Sequence, residues 1–348
     1  MNENNSIKID ETDVTILRAL LKEARTTFTD IAKECKISIA AARARSLRLQ
    51  KIGIINGAVM QVNPYSLGFD NVCDITMKVA PEKIEEVKKF LTSKPYTGPV
   101  LENFGRQNIA VGVLLKSINE LNNIMEDIAK CEHVKNVEPL IWIKPVYLDH
   151  PENLVIAHHE NKNGKNEAVK SLVKYQKRAK LGDLELQIAK ILTNDARTPF
   201  SAIGKKLKIP TQTVIRKYKK LSESVFTTST ITINLQKLGY KAIAIIFIKI
   251  PNKAKEQKIH SEILQIPNVI VAIRHIGIYD MRVLIALEDF DDWFETEKKI
   301  KKIEGIKEID TSFIKAYTKW PLNPFANIFT EENSTKNQMK TIGGTARI

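Results

Sequence analysis

Cysteine is scarce in this sequence. Its 348 residues include three cysteines, Cys35, Cys73 and Cys131, and no two of them have the spacing of metal ligands. An odd number of distant cysteines favours neither a disulfide framework nor a zinc site. Reduced thiols are typical of proteins in the cytoplasm. We therefore expect a cytoplasmic protein without a bound metal.

Long apolar runs are also missing. The longest run, from Ala242 to Ile248, is far shorter than the ~20 residues that a membrane-spanning helix needs. The first residues, MNENNSIKIDETD, are polar and acidic, which is unlike a signal peptide. The sequence therefore predicts neither a membrane anchor nor a membrane partner.

Positive charge is what the sequence has in surplus. The formal net charge is +14, which suggests a polyanionic partner such as nucleic acid. The bases are clustered, since residues 33–51 carry six bases and one acid, and residues 205–220 carry seven bases and no acid. A solvated basic face would explain one cluster. Two clusters at matching places favour contact with the phosphates of double-stranded DNA.

The matching places belong to an internal repeat. Arg197 follows Arg25 by 172 positions, and Gly277 follows Gly105 by the same 172. A constant offset over so long a span indicates duplication of one structural plan.

Each copy shows the same succession of patterns. Three short helical segments come first, and the third is basic, which is typical of a helix-turn-helix. Residues 54–62 follow as a strand and a candidate wing. The order strand, helix, strand, strand, helix, strand comes next, which predicts a ferredoxin-like sheet with helices on one face. The expected fold class is α+β with two repeats, each a winged helix-turn-helix domain followed by a βαββαβ effector and oligomerisation domain.

The expected domain bounds follow from these patterns. The uncovered face of each predicted sheet must pack on something, so sheet-to-sheet contact is expected. A linker with one helix at 168–178 separates the copies, and the chain is expected to be disordered from Thr330. The domains are 1–60 (first DNA-binding domain), 66–149 (first βαββαβ domain), 150–180 (linker), 181–235 (second DNA-binding domain), 238–320 (second βαββαβ domain) and 321–348 (tail, partly disordered).

The basic third helices supply the candidate DNA contacts. Recognition helices meet base edges near their first turn, where the second copy offers hydroxyl and amide groups. The corresponding first-copy residues, Ile39, Ala40 and Ala41, can touch thymine methyls but offer little hydrogen bonding. We therefore hypothesise that the two heads read different sequences. The candidates are Ser38, Arg43, Arg45 and Arg48 in the first copy, and Thr211, Gln212, Thr213, Arg216, Lys217, Lys219 and Lys220 in the second.

The whole pattern resembles two fused members of the Lrp/AsnC (feast/famine) family of transcription regulators. The second copy departs from the family pattern at Pro210, where a serine is usual, and at Val225, where a glycine is usual. The resemblance rests on Asp10, Asp13, Ile16, Leu17, Ala24-Arg25, Ile31-Ala32, Ser38, Arg45, Leu49 and residues 53–55 in the first copy, and on Ala196-Arg197, Ile203, Val214, Lys217 and Leu221 in the second.

The resemblance implies an effector site and an assembly. Family members bind effectors, often amino acids, near the turn between the second and third strands of the βαββαβ domain. Only the second turn keeps an acid, so the two pockets are expected to differ, unless the turns merely connect strands. The family also pairs its sheets face to face, which implies an internal pseudo-dimer or a homo-oligomer. The candidate effector residues are Gly105, Arg106 and Asn108, and Gly277, Tyr279 and Asp280.

Two other functions stay open. Sirohaem decarboxylases share the two-domain plan, but they need histidines and arginines near the cleft, and here only His133, His260 and His275 lie in the βαββαβ domains. An architectural DNA-binding protein with little sequence preference is the other alternative. The sequence contains no nucleophile or phosphate-loop pattern, so we expect no cofactor and favour a regulator over an enzyme.

Overall fold

The computed structural model describes residues 9–143, 149–157 and 178–329. The predicted tail from Thr330 lies outside this part of the chain, as does the predicted linker helix at 168–178 except for Arg178. Within the described residues, no helix is long and apolar enough to cross a membrane.

The two halves of the chain have the same order of elements. Side chains cap several helices, since Asp10 accepts a hydrogen bond from the N–H of Asp13, and Ser38 accepts one from the N–H of Ala41. The first half contains α1 Glu11–Lys22, α2 Phe28–Cys35, α3 Ile39–Lys51, β1 Ile55–Val62, β2 Asn71–Val79, α4 Ile84–Thr92, β3 Thr97–Glu102, β4 Ile109–Leu115, α5 Glu120–Ala129 and β5 Val134–Trp142. The second half contains α6 Asp183–Asn194, α7 Phe200–Leu207, α8 Thr211–Ser224, β6 Phe226–Ile233, β7 Ala242–Lys249, α9 Glu256–Ile263, β8 Val269–Ile276, β9 Met281–Leu287, α10 Phe290–Lys301 and β10 Glu308–Lys315.

This architecture confirms the expected fold class. Each half begins with a three-helix head whose helices share buried apolar residues such as Leu17 and Leu49, or Leu192 and Leu221. Each half then forms an antiparallel ferredoxin-like sheet, with strand order β5-β2-β4-β3 in the first half and β10-β7-β9-β8 in the second. The pairs of helices α4 and α5, and α9 and α10, each cover one side of their sheet.

The strands that follow the heads differ from the prediction. Strand β1 does not form a wing on its own head but pairs antiparallel with β6 of the other half, with Ala58 opposite Ile231. Helix α1 packs on β6, and α6 packs on β1. Both strands are largely buried because each lies beneath the opposite head. The two-stranded sheet β1-β6 is called the ribbon below.

The two βαββαβ sheets close on each other within one chain. Strand β5 pairs with β8 where Trp142 lies opposite His275. At the other edge, Phe104 and Phe313 exchange two backbone hydrogen bonds, of 2.8 and 2.9 Å. The uncovered faces of the sheets therefore face each other, and the chain forms an internal pseudo-dimer. Sequence reasoning had left open whether this pairing occurs within or between chains.

Candidate DNA-binding helices and ligand sites

Two of the predicted DNA-binding arginines turn towards the first helix of their own head. Arg45 Nη1 lies 2.7 Å from Asp10 Oδ2 and 3.0 Å from Asp13 Oδ1, and Arg48 also pairs with Asp13. The Asp13 side chain is 1% exposed. Since a buried carboxylate needs a partner, these arginines hold α3 against α1.

The second head repeats this arrangement with different residues. Lys217 Nζ lies 2.8 Å and Lys220 Nζ 3.1 Å from Glu185 Oε1, and the Glu185 side chain is 5% exposed. Burial by itself would raise the pKa of Glu185, but the hydrogen bonds from the two lysines outweigh it and lower that pKa to about 2. These two lysines, also predicted DNA contacts, therefore hold α8 against α6.

The other predicted DNA contacts lie on a different side of the third helices. Arg43 is exposed on α3, and Thr211, Gln212, Arg216 and Lys219 are exposed on α8. Thr213 is half-buried, and the Ser38 hydroxyl is an N-cap. The exposed face of α8 is therefore rich in hydrogen-bonding and cationic groups.

The exposed face of α3 has another character. Ile39 and Leu47 are 52% and 53% exposed, and Ala40 and Ala44 are exposed beside them. Arg43 lies within this stripe. The two heads thus offer unlike surfaces, although their backbones follow the same plan.

A reciprocal contact between the heads was not expected from the sequence. Arg25 Nη1 donates to the carbonyl oxygens of Ala196 and Thr198, and its guanidinium stacks 4.1 Å from the ring centre of Phe200. Arg197 Nη1 donates to the Ala24 carbonyl oxygen in the same way. We call these paired contacts the arginine clasp. The repeated Ala-Arg dipeptide was the sequence signal for it, but nothing local shows that each arginine reaches the other head.

The glycines of the predicted effector turns lie against the opposite sheet. A Cβ atom at Gly105 would lie 2.7 Å from Ser312 Cβ on β10, and one at Gly277 would lie 2.7 Å from the Pro139 carbonyl oxygen on β5. Both positions therefore need glycine because the opposite sheet comes close, through the Ser312 side chain at Gly105 and through backbone at Gly277.

The predicted effector residues Asn108 and Asp280 are buried and bonded to the protein itself. Asn108 Oδ1 accepts from the Val79 N–H at 2.8 Å, and Asn108 Nδ2 donates to the Val79 carbonyl oxygen at 2.7 Å. Asp280 accepts from the Ile250 N–H and forms an ion pair with Lys253. Both side chains brace the end of the first strand of their sheet.

Arg106 and Tyr279, one from each predicted turn, meet in a single polar cleft of about 20 Å³. Arg106 Nη1 lies 3.2 Å from Tyr279 Oη, and its Nη2 donates to Glu138 at 2.9 Å. The Tyr279 hydroxyl donates to Asp310 at 2.8 Å. Burial and this hydrogen bond raise the pKa of Tyr279 to about 12. The turns of the two halves thus converge on one place.

A larger cavity, of about 100 Å³, lies between the facing sheets. Its walls are largely apolar and come from seven strands, from Asp149 and from residues 317–325. Arg282 Nη1 lies 2.8 Å from Asp74 Oδ2 in the wall, and Trp142 Nε1 also donates to Asp74. Burial opposes ionisation of Asp74, but the charge of Arg282 holds the pKa of that carboxyl below its ordinary value. Sequence reasoning missed this cavity, because its residues come from many separate segments.

Comparison with known protein families identifies the first head. Residues 9–56 match the family model described as winged helix-turn-helix DNA-binding. The HTH-type transcriptional regulator LrpA of Pyrococcus horikoshii is 35% identical over 137 residues, which is 39% of this chain and 97% of that protein. The HTH-type transcriptional regulator Ptr1 of Methanocaldococcus jannaschii is 31% identical over 119 residues, 34% of this chain and 80% of that protein.

A solved structure matches nearly the whole length. The siroheme decarboxylase NirDL aligns over 95% of this chain and 99% of its own, with a TM-score of 0.62 and 17% sequence identity. At this identity the likeness concerns the fold alone.

Proposed function

The chain belongs to the Lrp/AsnC family of transcription regulators, and from this we propose that it is a sequence-specific DNA-binding regulator with two unlike DNA-reading heads. Its partner is double-stranded DNA, and a small effector modulates it. The observation that carries the proposal is the contrast between the two exposed helix faces, one apolar with Arg43 and one polar with Gln212 and Arg216.

The second head is proposed to read bases through hydrogen bonds. Thr211 and Gln212 begin α8, where recognition helices meet base edges, and a glutamine can form two bonds to adenine. Arg216 and Lys219 lie one and two turns further along and suit phosphate contacts. The first head is proposed to touch thymine methyls with Ile39 and Ala40 instead.

The remaining predicted DNA contacts receive another role in this proposal. Arg45, Arg48, Lys217 and Lys220 neutralise buried acids, so they position the recognition helices rather than meet phosphates directly. Their long side chains contribute to the positive field that attracts DNA.

Selection of bound duplexes from a random pool at physiological salt tests the proposal. The wild type should enrich a motif made of two unlike parts. Gln212→Ala should lose base preference in one part only, by about 1–3 kcal/mol at the affected pair. Arg43→Ala should weaken binding through the other part. Loss of the same preferences in both variants would contradict two unlike heads, and enrichment of no motif would favour an architectural protein.

A sirohaem decarboxylase is the second candidate, favoured by the fold shared with NirDL. A tetrapyrrole with many carboxylates needs several cations around it. Among the described residues that line the 100 Å³ cavity there is one arginine, Arg282, and it is already paired with Asp74. Mixing the protein with sirohaem and recording the absorbance spectrum separates the candidates. A shifted absorbance spectrum together with release of carbon dioxide from sirohaem would support the decarboxylase and contradict the regulator proposal.

A further inference from the structure

The cavity between the sheets has the composition of a small-molecule site. Aliphatic side chains of both sheets form most of its wall, and the segment with Trp320, Leu322 and Phe325 completes it. An apolar chamber with a few convergent polar groups is the usual form of a ligand site. The polar groups of the wall include Asp149, Tyr317 and Arg282.

Asp149 is a buried acid whose hydrogen-bond partner is an amide. Its side chain accepts a hydrogen bond from Gln61 Nε2, and no lysine or arginine among the described residues forms an ion pair with it. Burial raises the pKa of Asp149 to about 6, although Gln61 and His150 oppose the rise. Near neutral pH this carboxylate is therefore charged at an energetic cost that a ligand cation would remove.

Tyr317 and Arg282 are buried donors with unused capacity. Tyr317 Oη and Arg282 Nε have no hydrogen-bond partner among the described residues. The charges of Arg282 and Asp149 both act on the Tyr317 hydroxyl, whose pKa burial raises to about 12, so the three groups are neighbours. A buried donor without an acceptor is costly, and a ligand acceptor would satisfy it.

The charges of the wall define the complementary ligand. Asp74 and Arg282 neutralise each other, which leaves the acid Asp149 beside the two donors that have no partner among the described residues. An acid alone would add a second negative charge to the chamber, whereas an amine alone would leave the donors unsatisfied.

We propose that this cavity binds a small apolar zwitterion, such as an apolar α-amino acid, with its ammonium group on Asp149 and its carboxylate on Tyr317 and Arg282. The body of the ligand fills the apolar chamber. This site is distinct from the two turns, where Asn108 and Asp280 are bonded to the protein's own backbone.

The cavity is also connected to the heads. Gln61, the partner of Asp149, lies on β1 of the ribbon, and the backbone of Trp320 exchanges hydrogen bonds with Ile233 on β6. A ligand would therefore touch residues that are bonded to both ribbon strands. In this respect the inference rests on the proposed function, because the bound ligand would bias the heads and so be the effector.

Titration calorimetry of the full chain tests the site without DNA. The probes are valine, leucine, methionine and phenylalanine, with two analogues of leucine, 3-methylbutylamine and 4-methylpentanoate. At least one amino acid should bind, and for leucine-sized probes the amine should bind about tenfold more weakly and the acid not at all. Absence of binding by all four amino acids, or equal binding of the acid analogue, would overturn the inference.

Variants locate the site. Asp149→Asn should weaken amino-acid binding at least tenfold, and Tyr317→Phe should weaken it severalfold while leaving binding of the amine analogue unchanged. Tyr96→Phe is the matched control, because its hydroxyl bonds to Asp127 on the outside of the first half. Loss of binding in Tyr279→Phe but not in Tyr317→Phe would place the ligand at the turns and overturn the inference.

Two further measurements keep the outcomes separable. Circular dichroism shows whether each variant is folded, and the emission of Trp142 and Trp320, which line the cavity, reports ligand entry in the wild type. Binding of an amino acid together with failure of the DNA selection would reject the proposed function and keep the site. Successful DNA selection without any binding would reject the site alone.

Discussion

Charged side chains on the third helices have two different tasks, which their positions separate. Arg45 and Lys217 are 172 positions apart, and each pairs with the buried acid of its own head, Asp13 or Glu185. Arg43 and Arg216 point elsewhere and are exposed. The bases that pair with a buried acid therefore stabilise the packing of the helices. The sequence alone does not distinguish them from the exposed bases.

Glu185→Gln should lower the stability of the protein at neutral pH and make that stability less dependent on pH. The pKa of Glu185 in the folded protein, about 2, lies below its ordinary value of 4.5. Its contribution is therefore present above pH 4.5 and is lost as the pH falls from 4.5 through 2. We expect the variant to lose roughly 1–2 kcal/mol of unfolding free energy at pH 7.

Urea denaturation across this pH range measures the effect. The wild type should lose stability more steeply than the variant between pH 4.5 and 2. Glu223→Gln, which changes an exposed acid on α8, is the control and should follow the wild type. Parallel curves for wild type and Glu185→Gln would show that the lysine contacts do not stabilise the charged form.

At the scale of the elements, local pattern was sufficient for most helices and strands. Strand β1 begins one residue after the predicted start of 54–62 and ends at its predicted end, because Gly53 and Asn63 bound its run of strand-forming residues. The pairing of β1 with β6 was not predictable in the same way, because the partner strand lies about 170 positions away and both strands are apolar on the faces they bury.

Arg25→Ala should loosen the contact between the heads, although Arg25 itself lies outside both recognition helices. The variant leaves the carbonyl oxygens of Ala196 and Thr198 without the arginine and removes the stacking on Phe200. We expect a loss of roughly 1–3 kcal/mol in unfolding free energy, measured by chemical denaturation. Affinity for a DNA site that needs both heads should also fall.

Arg43→Ala is the matched variant for this prediction. Its side chain is exposed on α3, so DNA affinity should fall with little change in stability. If Arg25→Ala instead weakened DNA binding at unchanged stability, the arginine clasp would not stabilise the fold. Arg25 would then act on DNA directly or through its contact with Tyr218 on α8.

At the scale of the whole molecule, the contacts between the two halves in the described residues include the ribbon, the arginine clasp and two seams between the sheets. At one seam β5 pairs with β8, and at the other Phe104 pairs with Phe313. None of these is visible in one copy of the repeat alone. The sequence could therefore predict both halves and their likeness to a dimeric family, while the buried cavity and the converging turns needed the three-dimensional arrangement. The roles of the DNA-facing residues remain predictions.

Gly105→Ala should open one seam. The added Cβ would meet Ser312 on β10, beside the backbone bonds between Phe104 and Phe313. We expect a loss of about 1–3 kcal/mol in unfolding free energy, because overpacking forces the two sheet edges apart. Hydrogen exchange should show faster exchange of the Phe104 and Phe313 amides.

Gly112→Ala provides the control for the seam. A Cβ at Gly112 would meet its nearest neighbour, Pro99, at an ordinary 3.8 Å, so this change should not lower stability. Equal stability of Gly105→Ala and the wild type would show that the contact between Gly105 and Ser312 does not limit the packing of the two sheets.

The arginine clasp has a consequence for the geometry of the target. A homodimer presents two identical heads, so its target is a palindrome that reads the same from either end. Here Arg25 and Arg197 fix two unlike heads beside each other in one polypeptide. If both heads read DNA as proposed, the matching target is asymmetric, and the protein binds it in one orientation. Such a regulator would distinguish upstream from downstream without a second protein.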